Sequence, residues 1–244
     1  MNNKYLNPPL VTASCEVRVS RDESTKWNKV YVGELYTALK KDYPNNEDIT
    51  SVEGQFVPEQ SKYDVVKFPE TKFYSENNSL LISDTRIKVI CDAPYSGWQI
   101  FGEKVNQAIR EYKKITKPKA IEDIALIYTN KISISATEKK VLHEKDYFNI
   151  DINYSALGMK PARIESKVVF PQENGDYLIL SFAIVPNSKA VKFDCYIELI
   201  YVIAKQNLTK ATKIIGDSID LAHKTIERCF EAIITEKARE LFND

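Results

Sequence analysis

The chain carries few side chains able to perform acid–base, nucleophilic or metal chemistry. Its two histidines, His143 and His223, have no second His or Cys at a spacing that would share a metal, so both are expected to be solvated or partly buried. The four cysteines (Cys15, Cys91, Cys195, Cys229) are scattered through apolar contexts, without a Cys-x-x-Cys, and read as reduced core thiols. Seven glycines form neither a Gly-x-Gly-x-x-Gly nor a Gly-x-x-x-x-Gly-Lys run, which excludes the phosphate loops of those types. No Gly-x-Ser-x-Gly elbow occurs. The pairs Glu122–Asp123 and Asp217–Asp220 read as surface carboxylates. No catalytic residue, cofactor site or metal site is therefore assigned.

Three features remain that could bind something. Tyr95 and Trp98 flank an expected helix start, where free backbone amides can hold an anion. Tyr128-Thr129-Asn130-Lys131 interrupts an apolar strand with polar groups. Fourteen tyrosines supply a residue type favoured at protein interfaces. The candidate ligand or partner surface is accordingly Tyr95, Trp98, Tyr128, Asn130 and Lys131.

The elements that would position these residues follow from hydrophobic periodicity. Ala13, Cys15, Val17 and Val19 alternate with Ser14, Glu16 and Arg18, as in a strand with one buried face. A helix is expected from Thr25 to Asp42, capped by Ser24 or Thr25, with Trp27, Val30, Tyr31, Leu35, Ala38 and Leu39 as its stripe. Residues 45–78 read as loops with a strand at Tyr63 to Phe68. A hairpin turning at Asp84-Thr85 comes next. A helix follows it, with Ser96 as N-cap, Gln99 completing a capping box, and Trp98, Phe101, Val105, Ala108, Tyr112 and Ile115 on its buried side.

Ile124 to Ser135 is a β-branched strand, and 136–161 a polar connection. Three strands (Ala162–Phe170, Tyr177–Val185, Val191–Ala204) lead to a long helix capped by Thr209. Its stripe is Ile215, Ile219, Ala222, Ile226, Cys229 and Ile233, and Thr235 caps a last short turn. The pattern predicts an α+β fold, mainly antiparallel sheet with two or three long helices on one face. Strands followed by a helix occur twice, in halves 1–136 and 137–244, which suggests a pseudo-duplicated strand-strand-strand-helix unit packed as one composite body.

Composition narrows the function classes. Thirty-four basic residues balance 34 acidic ones, so no bulk field favours nucleic acid or an anionic membrane. No apolar stretch reaches the roughly 18–20 residues that span a bilayer, and Met1 to Pro9 lacks the apolar core of a signal peptide. The expected location is the cytoplasm.

The chain resembles a sporadically distributed, functionally uncharacterised family of bacterial proteins of about this length. The resemblance rests on Asn7-Pro8-Pro9-Leu10-Val11 leading to Cys15-Glu16-Val17-Arg18, then Leu80-Leu81-Ile82-Ser83 and Tyr95-Ser96-Gly97-Trp98 with Phe101. Tyr128-Thr129-Asn130-Lys131-Ile132 is similar to the family's Arg-Tyr-x-Asn-Arg-Ile strand. Phe193-Asp194, His223, Phe230-Glu231, Ile234-Thr235 and Arg239 match its C-terminal signature. Where the family tends to place an arginine, Ile127 stands here, leaving Lys131 to retain part of any anion-holding role. The resemblance implies a bacterial protein and no established activity, and sporadic occurrence is typical of mobile defence, toxin–antitoxin or immunity genes.

The expectation is a non-enzymatic protein-binding module, an accessory, antitoxin or immunity component. Nucleic-acid or nucleotide-ligand binding is the first alternative and a metal-independent enzyme the second. No membrane partner or cofactor is expected, and long strand edges would leave room for a homodimer.

Overall fold

The alternation at Ala13 folds as β1 (Leu10–Ser20), the middle strand of a nine-stranded antiparallel sheet. The computed structural model describes residues 5–22, 27–57, 62–135, 143–152, 161–187, 192–204 and 212–243. After β1 come α1 (Lys29–Leu39), β2 (Asn45–Val57), β3 (Lys62–Tyr74), β4 (Asn78–Ile82), β5 (Arg86–Asp92) and α2 (Trp98–Thr116). The chain continues with β6 (Ala120–Ser135), a 3-10 turn (Glu144–Asp146), β7 (Ile164–Pro171), β8 (Tyr177–Asn187), β9 (Lys192–Ala204), α3 (Thr212–Ile233) and α4 (Glu236–Glu240). The spatial order β2-β3-β4-β5-β1-β6-β9-β8-β7 carries a single sheet through both halves. β5 and β6 flank β1, and β9 of the second half pairs with β6 of the first, so the halves share one sheet at the β6–β9 seam.

One parity of the central strands builds the core. Ala13, Cys15 and Val17 of β1, Val89 and Cys91 of β5, Leu126, Tyr128 and Ile132 of β6, and Ile197 and Leu199 of β9 are all buried. α2 packs on β5, α3 on β6 and β9, and the two helices meet each other. Phe101, Val105, Ala108 and Tyr112 of α2 and Ile215, Ile219, Ala222, Ile226 and Phe230 of α3 are their buried stripes. These are the apolar positions at three- and four-residue spacing that a 3.6-residue period brings to one side.

Three local expectations are corrected. α1 starts at Lys29, and its cap is Asn28, whose side chain accepts from the Val30 amide at 2.9 Å. Ser24 and Thr25 lie outside the described residues, as does Thr209. α2 has no side-chain cap. Gly97, at φ 91° and ψ 160°, holds the N-cap position instead of Ser96, in backbone space that favours glycine.

The largest correction concerns 45–78, where β2 and β3 pair through thirteen rungs from Asn45↔Tyr74 to Val57↔Lys62. Only Thr71 to Tyr74 of β3 also pair with β4, so the rest of this hairpin is paired only within itself. Pro69 lies where β3 has a partner strand on one side only, opposite Thr50 of β2, the kind of edge position in which a strand proline occurs.

Candidate functional site

Tyr128, Tyr95 and Trp98 converge, and the group that joins them is His223. Tyr128 lies on the buried parity of β6, Tyr95 in the β5–α2 connection and Trp98 at the first position of α2. α3 supplies Asp220, His223 and Glu227, whose spacings of three and four place them along one side of that helix. The Tyr128 hydroxyl lies 2.9 Å from His223 Nδ1 and 3.2 Å from the Tyr95 hydroxyl. His223 Nε2 lies 3.7 Å from a Glu227 carboxylate oxygen. The Trp98 ring stacks on the imidazole, centroids 4.2 Å apart and planes within 8°, and its Nε1 donates to Asp220 Oδ1 at 2.9 Å.

Electrostatics hold this chain of groups neutral. Burial pushes the His223 imidazole down to about 4, with Lys224 acting in the same direction and Glu227 and Asp220 opposing. Burial raises both tyrosine phenols, Tyr128 well above its ordinary value. A neutral imidazole has one donor and one acceptor nitrogen. With Nε2–H toward Glu227, Nδ1 accepts from Tyr128, whose oxygen can in turn accept from Tyr95. The arrangement locks α2 and α3 onto β6 through polar contacts whose members serve one another. Replacing Tyr95 by Phe should cost about 0.5–1.5 kcal/mol, one net hydrogen bond, measured by urea unfolding.

The other two candidate residues do not join this cluster. Asn130 shares Tyr128's parity and is fully buried. Its Nδ2 donates to the Ile197 carbonyl at 3.3 Å, while its Oδ1 has no partner among the described residues. Lys131 points to the opposite parity, where its Nζ pairs with Asp194 at 3.2 Å. That carboxylate also accepts from Ser133 at 2.7 Å and Asn187 at 3.1 Å. Burial works against ionisation of Asp194, but Ser133, Lys131 and Asn187 outweigh it and hold its carboxyl below the usual carboxylate range.

The parity that carries Lys131 presents a second feature. The strand registers align Ile90, Ser14, Ile127, Ile200, Ile179 and Val169 in one row across β5, β1, β6, β9, β8 and β7. Six strands at about 4.8 Å spacing give this row a length of about 24 Å. Its four isoleucines are half-buried and lie outside the core cluster, and Val169 is exposed. The flanking row on one side is polar: Thr12, Thr129, Glu198, Ser181 and Lys167. On the other side the flanking row is Lys88, Glu16, Ala125, Val202, Tyr177 and Pro171, charged on β5 and β1 and mostly apolar beyond them.

Two clefts lie elsewhere. One of about 700 Å3 opens between Trp27 and Val32 of the α1 region and the β2–β4 strands. Another of about 570 Å3 runs between α1 and α2. The described cysteines are free thiols, and among the described residues no cluster of three or more His, Cys, Asp or Glu could hold a metal ion. No helix among them is long and apolar enough to cross a membrane. His223, expected from sequence on the polar side of its helix and solvated or partly buried, is buried instead; it falls four residues after Ile219 and three before Ile226, and that spacing is the signal that puts it on the buried arc. Comparison with protein-family models and with characterised proteins finds no match to this chain.

Proposed function

We propose that the chain is a non-enzymatic protein-binding module of the bacterial cytoplasm, belonging to the sporadic family it resembles. The observation that carries this reading is the half-buried isoleucine row with a polar margin along one side and the charged pair Lys88 and Glu16 at one end of the other. Apolar side chains surrounded by hydrogen-bonding and charged groups are the anatomy of a protein interface, dry at the centre and wet at the rim. The reading also implies that the three long helices keep to the other face of the sheet and leave this one for the partner. The titratable groups of the Tyr95–Tyr128–His223 cluster serve one another, and Lys131 is paired, so neither supplies a charge for substrate or phosphate. The partner expected is a folded protein with a complementary apolar ridge, and a neighbour-encoded toxin or effector is the first to test.

The test is affinity purification of tagged wild type and of an Ile127→Glu/Ile200→Glu variant from the native host, with and without nuclease. A stoichiometric protein that survives nuclease and is lost from the variant supports the reading. Titrating that partner, once purified, should show at least about a tenfold loss of affinity for the variant, since two carboxylates would be desolvated at the interface centre. Recovery of nucleic acid alone, or equal retention of the protein by both forms, would overturn it.

A further inference from the structure

We propose that β7 is a self-association edge, through which two copies of this chain join their sheets by antiparallel pairing about a two-fold axis at Ser166. β7 ends the sheet, and Val168, Val169 and Phe170 on it are exposed. An exposed apolar edge strand is a template for another strand unless it is covered or blunted. The residue pattern of β7 selects which strand that is.

In a two-fold antiparallel pair each face of one sheet continues into the same face of the other. A residue must therefore lie opposite one of its own parity, and the axis passes through a residue rather than between two. Centring on Glu165 opposes carboxylate to carboxylate, and centring on Lys167 opposes ammonium to ammonium, both unfavourable for directly facing residues. Centring on Val168 sets Lys167 against Val169 and brings Pro171, which has no amide, into the ladder. Centring on Ser166 pairs Glu165 with Lys167 twice, pairs Ile164 with Val168 twice on the other face, and leaves Pro171 beyond the five rungs. Only this centre of the four satisfies charge and apolar contact together.

The neighbours within the chain leave that complementarity open. Across β8, Glu165 faces Ala183 and Lys167 faces Ser181, neither of them charged. Lys167 has no ion-pair partner among the described residues, whereas Glu165 is met by Arg163 along its own strand, with Nε at 2.8 Å. A second copy brings Lys167 to the open side of that carboxylate. The interface meets the isoleucine row only at β7, where Val169 ends the row and Lys167 ends its margin, whereas the partner test is made at Ile127 and Ile200 on β6 and β9.

The experiment is sedimentation equilibrium of the full chain at concentrations up to about 100 µM, the range in which a modest edge contact shows mass action. Wild type should form a dimer. Lys167→Glu should weaken it by at least about tenfold, because carboxylate then faces carboxylate on two rungs, and the Glu165→Lys/Lys167→Glu double exchange should restore it. Both side chains are exposed, so the variants fold. Ser166→Cys under mild oxidation should trap a disulfide-linked dimer, since Cα atoms of facing residues lie about 4.5–5.5 Å apart, while Val169→Cys should not. A wild type that stays monomeric, or a double exchange that stays as weak as Lys167→Glu, overturns the proposal. Either result leaves the Ile127 and Ile200 test standing.

Discussion

Replacing Arg86 by Met should lower the unfolding free energy by about 3–5 kcal/mol, a fall in melting temperature of roughly 10 °C for a chain of this size. Arg86 is buried on β5, and its guanidinium spans two carboxylates. Nε and Nη2 donate to the two oxygens of Glu70 at 2.7 and 2.9 Å, and Nη1 lies 3.8 Å from Glu16. The Phe68 ring covers it at 5.0 Å. The Glu70 side chain is fully shielded from solvent. Met fills much of the same space, so the loss comes from the stranded charge and not from a cavity.

Glu16 suffers less. Burial opposes its ionisation, but Lys88, Arg18 and Arg86 together hold its carboxyl below the usual range, and two of those three remain. Glu70 keeps only the Ser51 hydroxyl among the partners described here. The Glu70→Gln/Arg86→Met double variant should therefore be more stable than Arg86→Met alone, as removing both charges strands neither. Guanidinium unfolding of the three proteins at pH 7 measures this. A single variant within about 1 kcal/mol of wild type would show that water or movement of β3 absorbs the Glu70 charge.

How much of this was legible in the sequence depends on what holds each element together. β1, β6, β9, α2 and α3 present apolar residues at the period of their own backbone, because each buries a face in the core. The antiparallel sheet and the long helices follow from those five. Apart from Glu70 and Phe73, the described side chains of β2 and β3 bury little, with Val52, Val65 and Val66 exposed, and thirteen mutual rungs hold the two strands together. Cross-strand pairing leaves no period in either strand alone, so Asn45 to Asp48 reads as loop.

The site divides in the same way. Tyr95, Trp98 and Tyr128 stood out as aromatic or polar interruptions at a helix start and in a strand, and they meet in space. Asn130 and Lys131 were grouped with Tyr128 by adjacency, but alternation sends Lys131 to the other face. Asp220 is on the surface, as its sequence context suggests, but the indole of Trp98, far away in sequence, donates to it, and no spacing in the chain announces that contact. The isoleucine row was equally hidden. Ile90, Ile127, Ile179 and Ile200 are unremarkable in their own strands, and only the registers line them up.

His223 provides the second large effect, as a pH dependence. Its folded pKa of about 4 lies below the ordinary 6.5, so the unfolded chain binds a proton that the native imidazole refuses. A cation-forming group with a depressed pKa contributes its full stability above about pH 6.5. It loses that contribution progressively as pH falls toward 4, and no further below that. The span corresponds to about 3 kcal/mol at most, or a melting-temperature change of roughly 6–12 °C.

The groups around the ring explain the sign. Burial beneath Trp98 penalises the imidazolium most, and Lys224 adds to it, while Glu227 and Asp220 oppose. Tyr128 and Tyr95 stay neutral throughout this window, since burial raises both phenols. Protonated, Nδ1 could only donate, and the Tyr128 hydroxyl would have to reverse along with its bond to Tyr95.

Other carboxylates titrate near the lower end of this range, so wild type must be compared with His223→Gln. The variant should be less stable at pH 7.5, lacking the stacked imidazole, yet lose less on acidification, so that the two curves converge near pH 4. Parallel curves from pH 7.5 to 4 would mean that the buried imidazole is protonated in the native protein as readily as in the unfolded chain. The Tyr95–Tyr128–His223 chain would then have to run with its donors reversed.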